Sequence, residues 1–346
     1  MQRQRDVCCF FLRFLIGANV ERSPAMNVMY LMPWRGILPI LIKKNHNMYR
    51  QTLHSLFLLA TFLPLCFWGC SSDDGDNKDP LTINTNANKT AEHPEAGRME
   101  MPKLAGGVAN MFLVKRLSSG QVNYCIEWSL AKKAQRWTAF RWDNTNSGGY
   151  IKREDNFMED YDIPEVYRTT SSHYSGSGYT RGHIIASADR WNSLEANRQT
   201  FLYSNMQPQL YSFNGGIWAN LEMKIRSWNT ADFRDTLYVV KGGTIDKDDQ
   251  ILEYARRGTA LQLLVPKYFF MAILCKNKNA TNGGYKAIGF WMQHRSFYED
   301  EKNLSPYIVS IDQLETLTDI DFFCNLPDHI ERQVEAQVIR TAWGFQ

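Results

Sequence analysis

Apolar residues recur along this chain with two different periods, and the change between them outlines a mixed fold. Runs rich in β-branched and aromatic residues at Val122 to Ser129, Trp137 to Trp142, Leu237 to Val240, Lys267 to Leu274 and Tyr285 to Trp291 have the length and composition of strands. The last two are separated by the turn-prone Asn282-Gly283-Gly284. Between Gly216 and Trp228 the period lengthens: Trp218, Leu221, Ile225 and Trp228 stand at i, i+3, i+7 and i+10, one stripe of an amphipathic helix that reads as core. A capping pair, Ser310 with Gln313, predicts a helix over Ile311 to Leu317. Asn192 with Glu195 three residues later predicts another over Ser193 to Tyr203, which makes Glu195 structural. Strands and helices in this order predict one α+β domain over residues 105–346, with a central, mostly antiparallel sheet flanked by helices.

Ahead of that domain the pattern dissolves. Residues 70–104 are rich in Asp, Asn, Lys and Thr, with few large apolar groups, and read as a flexible tether. From Met48 the chain runs through Tyr49-Arg50 to an apolar stretch, Ser55 to Gly69, and then Cys70. That stretch is shorter than the ~20 apolar residues a spanning helix needs. Segment 48–69 resembles a bacterial lipoprotein signal peptide, which implies lipidation of Cys70, attachment to a membrane and an outer-membrane location in the cell envelope. The acidic run Ser71-Ser72-Asp73-Asp74-Gly75-Asp76 resembles the surface-export signals of some such lipoproteins. Residues 1–47 fit no mature domain and read as an extension ahead of the true start. The alternative, a transmembrane or re-entrant leader, is opposed by Arg35, Lys43 and Lys44, which break its apolar runs.

Charge and cysteine content then change with the compartment. The full chain carries 39 Lys+Arg and 36 Asp+Glu; residues 1–69 hold 8 and 2 of these, so the remainder is mildly acidic, near −3. Affinity for a polyanion must therefore come from a local basic cleft. Of the 7 cysteines, only Cys125, Cys275 and Cys324 fall in the domain, enough for at most one disulfide. There is no internal repeat, zinc-type Cys spacing, phosphate-binding Gly-Lys loop or nucleophile elbow.

Three polar blocks carry the chemistry: Arg181-Gly182-His183, then Ser204-Asn205-Met206-Gln207-Pro208-Gln209, then Asn214-Gly215-Gly216 through Leu221-Glu222. An imidazole that is partly neutral at working pH can take a proton from water, which suits His183 to general-base work. Arg181, two residues away, points to the same face of an extended strand and can hold a phosphate there. Gly182 between them lets the backbone approach a ligand. The Asn214 amide oxygen is a hard ligand suited to Mg²⁺, or Mn²⁺ or another divalent cation, in a sparse site that substrate phosphate would complete. Glu222, about two helical turns on, leans back toward the helix start and can orient water. Together these groups suit phosphodiester hydrolysis.

The three blocks resemble the DNA/RNA non-specific endonucleases of the ββα-metal superfamily, whose signature is Asp-Arg-Gly-His, then Ser-Asn-x-x-Pro-Gln, then Asn-x-x-x-Trp-x-x-Leu-Glu. The likeness extends over roughly residues 105–340. It implies the ββα-metal nuclease fold and active-site roles for Arg181, His183, Asn205, Asn214 and Glu222, with Asn205 bracing the site by hydrogen bonds. It also places a second phosphate-binding Arg near Arg153, where a solvated Arg is the competing reading. The chain departs from the signature at Thr180, where the family has Asp.

Plainer roles compete at several positions. Asn214 ahead of two glycines has the makings of a helix N-cap. Glu222 can pair with Arg226 at i,i+4 on a solvated face, an interaction of only ~0.3–0.5 kcal/mol. Asp189 and Arg190 read as loop-packing residues. An alternative to catalysis is a nucleic-acid-binding surface lipoprotein of the same fold, disabled at Thr180.

Overall fold

Strand pairing organises the chain in the computed structural model, which describes residues 82–257, 261–278, 284–297 and 301–346. The upstream extension, the signal segment, Cys70 and the turn residues Asn282-Gly283 lie outside the described residues. The strands are β1 (Asn110–Arg116), β2 (Val122–Ser129), β3 (Ala134–Trp142), β4 (Thr180–His183), β5 (Met206–Gln209), β6 (Thr236–Gly243), β7 (Ile251–Arg257), β8 (Leu261–Pro266), β9 (Tyr268–Lys276), β10 (Tyr285–Gln293) and β11 (Ile308–Val309). Seven form one sheet in the order β1-β2-β3-β6-β9-β10-β11, every neighbouring pair antiparallel. The pairs β4-β5 and β7-β8 are separate antiparallel ribbons. The helices are α1 (Ser171–Tyr174), α2 (Leu194–Gln199), α3 (Ala219–Ser227), α4 (Ile311–Thr318) and α5 (Asp328–Glu335).

The large sheet is covered on both faces, and its side chains divide by alternation. Leu237, Val239, Met271 and Ile273 join one core, while Tyr238, Val240, Ala272 and Leu274 join the other. Burial on both sides explains why these strands read as continuous apolar runs. On the first face lie Trp218, Leu221, Ile225 and Trp228, all buried as the helical spacing requires. Burying Leu221 or Ile225 contributes about 1.5–3 kcal/mol each. On the second face α4 and α5 contribute Ile311, Leu314 and Val334.

Ser310 caps α4 as expected: its hydroxyl accepts from Gln313 N, and Gln313 Oε1 accepts from Ser310 N. The helix expected from Ser193 to Tyr203 is shorter, ending at Gln199, and Ser193 rather than Asn192 caps it by accepting from Ala196 N. Glu195 is freed from the cap and accepts instead from Ser118 N and Oγ.

Residues 82–104 depart from the flexible tether expected of them. Asn84 Nδ2 donates to Cys324 O and Leu326 O, Asn88 Nδ2 to Ala96 O and Pro102 O, and Asn325 Nδ2 to Ala96 O and Arg98 O. Polar composition argued against a core, but this segment is held by side-chain amides bonded to backbone. The ordered part of the domain therefore begins well before residue 105. Cys125, Cys275 and Cys324 are buried free thiols. Among the described residues no helix is long and apolar enough to cross a membrane.

Candidate active site

Two short strands and a helix set the three polar blocks side by side. Thr180–His183 pairs antiparallel with Met206–Gln209, so that Arg181 opposes Pro208 and His183 opposes Met206. After a turn the chain enters α3. Gly182 is required by this pairing in a way the sequence did not suggest: a Cβ there would lie 2.3 Å from the Gln209 side chain. The glycine makes room for Gln209.

His183 is buried, with its Nε2 sealed from solvent and without a hydrogen-bond partner. It sits among aromatic rings, edge-on to Phe201 at 5.0 Å and Phe157 at 5.6 Å between centroids. Burial, reinforced by the Arg153 charge, pushes its pKa down to about 3. The ring is thus neutral across the physiological range. Arg181 and His183 flank the same ring as strand alternation requires, the Arg181 guanidinium lying 3.8 Å from the Phe157 centroid. Arg153 lies 5.2 Å from the Phe201 centroid, is half exposed and pairs with Asp155 at 2.6 Å. Phe157 and Phe201 carry no motif of their own, and sequence reasoning missed them. A cleft of about 420 Å³ beside Arg181 is lined by Ser171, Tyr174, Ser175, Tyr179, Thr180 and Tyr203.

Asn205 is fully buried and fully engaged. Its Oδ1 accepts from Ile185 N at 3.0 Å, and its Nδ2 donates to Ile185 O at 2.9 Å and Thr200 O at 2.8 Å. The side chain staples the strand after His183 to the end of α2, a positioning role. Its neighbour Ser204 donates to Asp160, which also accepts from the buried Lys115 at 2.5 Å.

Asn214 does not cap a helix. It lies inside a wide, π-type turn, Phe213–Trp218, and its N–H donates to Leu210 O. Gly216 breaks the helical path there, with φ −105° and ψ −111°. The side-chain Nδ2 donates to Thr180 Oγ1 at 2.9 Å, while Thr180 Oγ1 itself donates to Gln209 O at 2.8 Å. With the nitrogen so held, the amide oxygen is the atom left to meet a cation, which fits the ligand expected of this position. The turn is anchored by another residue the sequence did not flag: His294 accepts from Leu210 N and bonds Pro266 O, both at 2.8 Å.

Glu222, on α3, belongs to a buried four-charge network rather than a solvated face. Asp189, in the turn after β4, accepts from Arg226 and from Lys241, both at 2.8 Å. Lys241 approaches Glu222 Oε1 at 3.6 Å, and Arg226 approaches Glu222 Oε2 at 4.0 Å. Against burial, Lys241 and Arg226 hold the Asp189 carboxyl below its usual range. Burial lifts Glu222 to about 7, with Lys241 opposing and Asp189 adding. Asp189 thus couples the His183 strand to α3, while Arg190 is buried and donates to Asn123, loop packing as expected. Lys241 stands 52 residues from Asp189, and nothing in local pattern announces the pair.

The sequence pattern of the DNA/RNA non-specific endonuclease family matches residues 114–329. The chain is 30% identical over 230 residues to a nuclease of Nostoc sp., covering 62% of this chain and 76% of that one. It is 30% identical over 212 residues to nuclease C1 of Cunninghamella echinulata, covering 59% of this chain and 81% of that one. Against the mitochondrial nuclease EXOG of Xenopus laevis it is 29% identical over 211 residues, spanning 59% of this chain and 58% of that one. The fold matches a chain in the crystal structure of the EndoG/EndoGI complex with a TM-score of 0.51 at 21% identity, over 63% of this chain and 89% of that one. The chain belongs to the DNA/RNA non-specific endonuclease family, and its α+β fold carries a nuclease.

Proposed function

We propose that this nuclease is a divalent-cation-dependent endonuclease that hydrolyses phosphodiester bonds of DNA and RNA with little sequence preference, His183 acting as general base. The observation that carries the reading is the His183 ring: buried, unpartnered at Nε2, and held neutral. A buried imidazole nitrogen without a partner is costly unless a ligand or water meets it during function. In the proposed mechanism His183 takes the proton from the attacking water. Arg181 holds the scissile phosphate, and Arg153 extends the positive surface along the strand. Glu222, once ionised, accepts hydrogen bonds from water in the cleft, and Asn205 keeps the His183 segment in place. Asn214 would hold Mg²⁺ through its amide oxygen; when bound, the cation offsets charge growing on the phosphate and the leaving oxygen.

The disabled-binder alternative rested on the missing Asp at Thr180. The Thr180 hydroxyl accepts the Asn214 amide, the kind of contact a carboxylate at that position would offer, so the substitution leaves the presumed ligand oriented. Digestion of plasmid DNA and of RNA by the full chain, with Mg²⁺ and with EDTA, tests the proposal. Cleavage of both that EDTA abolishes is expected; an inert protein with Mg²⁺ and Mn²⁺ overturns it.

For location, we propose attachment to the outer membrane through acyl chains on Cys70, on the strength of the short apolar segment that precedes it. Cys70→Ser should abolish radioactive palmitate labelling and membrane sedimentation. Retention of both would sink the lipoprotein reading.

A further inference from the structure

On the sheet face opposite α3, the carboxylates of Asp312, Glu315 and Glu335 converge. One ligand oxygen from each lies within 4.8 Å of the other two. Glu335 is the unusual member: it is 4% exposed, and its Oε1 is sealed from solvent with no hydrogen-bond partner. A buried carboxylate oxygen with nothing to accept from is costly, so its environment must supply a cation or a proton. Burial acts most on Glu335, and Glu315, Glu331, Asp312 and Asp321 push it the same way. Glu331 and Asp321 share the Asn86 amide, which donates to Glu331 Oε1 at 2.8 Å and Asp321 Oδ2 at 3.2 Å.

We propose that Asp312, Glu315 and Glu335 form a second, structural divalent-cation site, suited to Ca²⁺, that clamps α4 to α5. The donors are all hard oxygens, as Ca²⁺ requires. Oxygens around one Ca²⁺ at about 2.3–2.6 Å can stand up to about 5 Å apart, whereas the tighter octahedral shell of Mg²⁺ allows only about 4 Å. Separations of up to 4.8 Å lie within the reach of a Ca²⁺ shell. The exposed Asp312 carboxylate provides the entry side, and water would complete the shell. Since Asn86, from the segment before β1, bonds Glu331 and Asp321, the clamp also steadies that segment against α5.

The test is thermal unfolding of the full chain, stripped with EDTA, dialysed and titrated with CaCl₂, alongside terbium luminescence as a direct binding readout. The expected result is a saturable rise of several degrees in Tm with Ca²⁺ and terbium emission that Ca²⁺ displaces. Glu335→Gln, which keeps the shape and supplies the donor of a protonated acid, should weaken the Ca²⁺ midpoint at least tenfold. The exposed Asp312→Asn, whose fold is not at risk, should do the same. Asn214→Ala should leave the Ca²⁺ response intact, which separates this site from the catalytic one and makes its failure independent of the nuclease reading. No Ca²⁺-dependent rise in the wild type, or an unchanged midpoint in Asp312→Asn, overturns the proposal.

Discussion

The two faces of the sheet bury carboxylates by opposite means. Beside α3, Asp189 and Glu222 share Lys241 and Arg226, so two acids and two bases balance and Asp189 stays ionised. Beneath α4 and α5, Glu335 meets other acids, and burial with their repulsion pushes it up to about 11. The difference shows what each face is built for. Paired charges fix geometry around the cleft, with Glu222 the member that changes charge near neutrality; an unbalanced cluster holds its shape only by taking up a proton or a cation. Beside the network, His183 Nε2 is buried without a hydrogen-bond partner.

The largest expected effect isolates that atom from the network around it. His183→Ala should lower the cleavage rate by ~10²–10⁴, while Arg181 and Arg153 still hold substrate. Single-turnover cleavage of a labelled duplex, paired with filter binding in EDTA, measures the two separately. A rate within tenfold of wild type would remove His183 from the role of base.

Next comes the network itself. Lys241 is fully buried between Asp189 and Glu222, and Lys241→Met leaves two carboxylates with Arg226 alone. Removing one partner of a buried ion pair costs about 3–5 kcal/mol, on the order of 10 °C in Tm for a domain of this size. Calorimetry should show that loss, and a Met variant as stable as wild type would mean the charges on this face do not hold it together.

How much of this was legible in sequence follows from the range of the interactions. Five of the seven strands of the large sheet, β2, β3, β6, β9 and β10, and the α3 stripe declared themselves locally, because segments such as Leu237 to Val240 and Trp218 to Trp228 bury their own apolar groups, whereas β1 and the two-residue β11 did not. The strands β4 and β5 did not: Thr180–His183 and Met206–Gln209 are four residues each, polar, and interrupted by Gly182 and Pro208. They were found only through the chemistry of their side chains. The Asp189–Lys241 pair, the Phe157 and Phe201 walls and the His294 anchor join residues far apart in the chain. No local pattern encodes such contacts. The same holds for Asn84, whose backbone partners Cys324 O and Leu326 O lie more than two hundred residues away.

A pH titration sharpens the contrast between the faces. Glu222 at about 7 is the group of the α3 network that changes charge near neutrality. Since its carboxylate form is the one that accepts hydrogen bonds from water, activity should rise with pH and level off above about 8, falling about tenfold for each unit below 7. His183, at about 3, contributes no limb in that window. Glu222→Gln should flatten the acid limb while lowering the plateau. A limb that persists unchanged in this variant would assign the titration elsewhere.

The smallest effect tests the residue at which the chain departs from its family. The Thr180 hydroxyl donates to Gln209 O and accepts from Asn214 Nδ2, so it engages the nitrogen end of the Asn214 amide and leaves its oxygen to other partners. Thr180→Val keeps the shape and removes both bonds, at about 1 kcal/mol for a typical hydrogen bond, which corresponds to about fivefold in the Mg²⁺ concentration giving half-maximal cleavage. Thr180→Ser keeps the hydroxyl and should restore the wild-type titration. Thr180→Asp can still accept from Asn214, but its carboxylate would face the Gln209 carbonyl with no proton to donate, so the gain of the family's residue is offset by that repulsion and activity should stay near wild type. If Thr180→Val titrates with Mg²⁺ as wild type does, the amide is oriented by the π-type turn alone, and Thr180 is a neutral replacement rather than a working one.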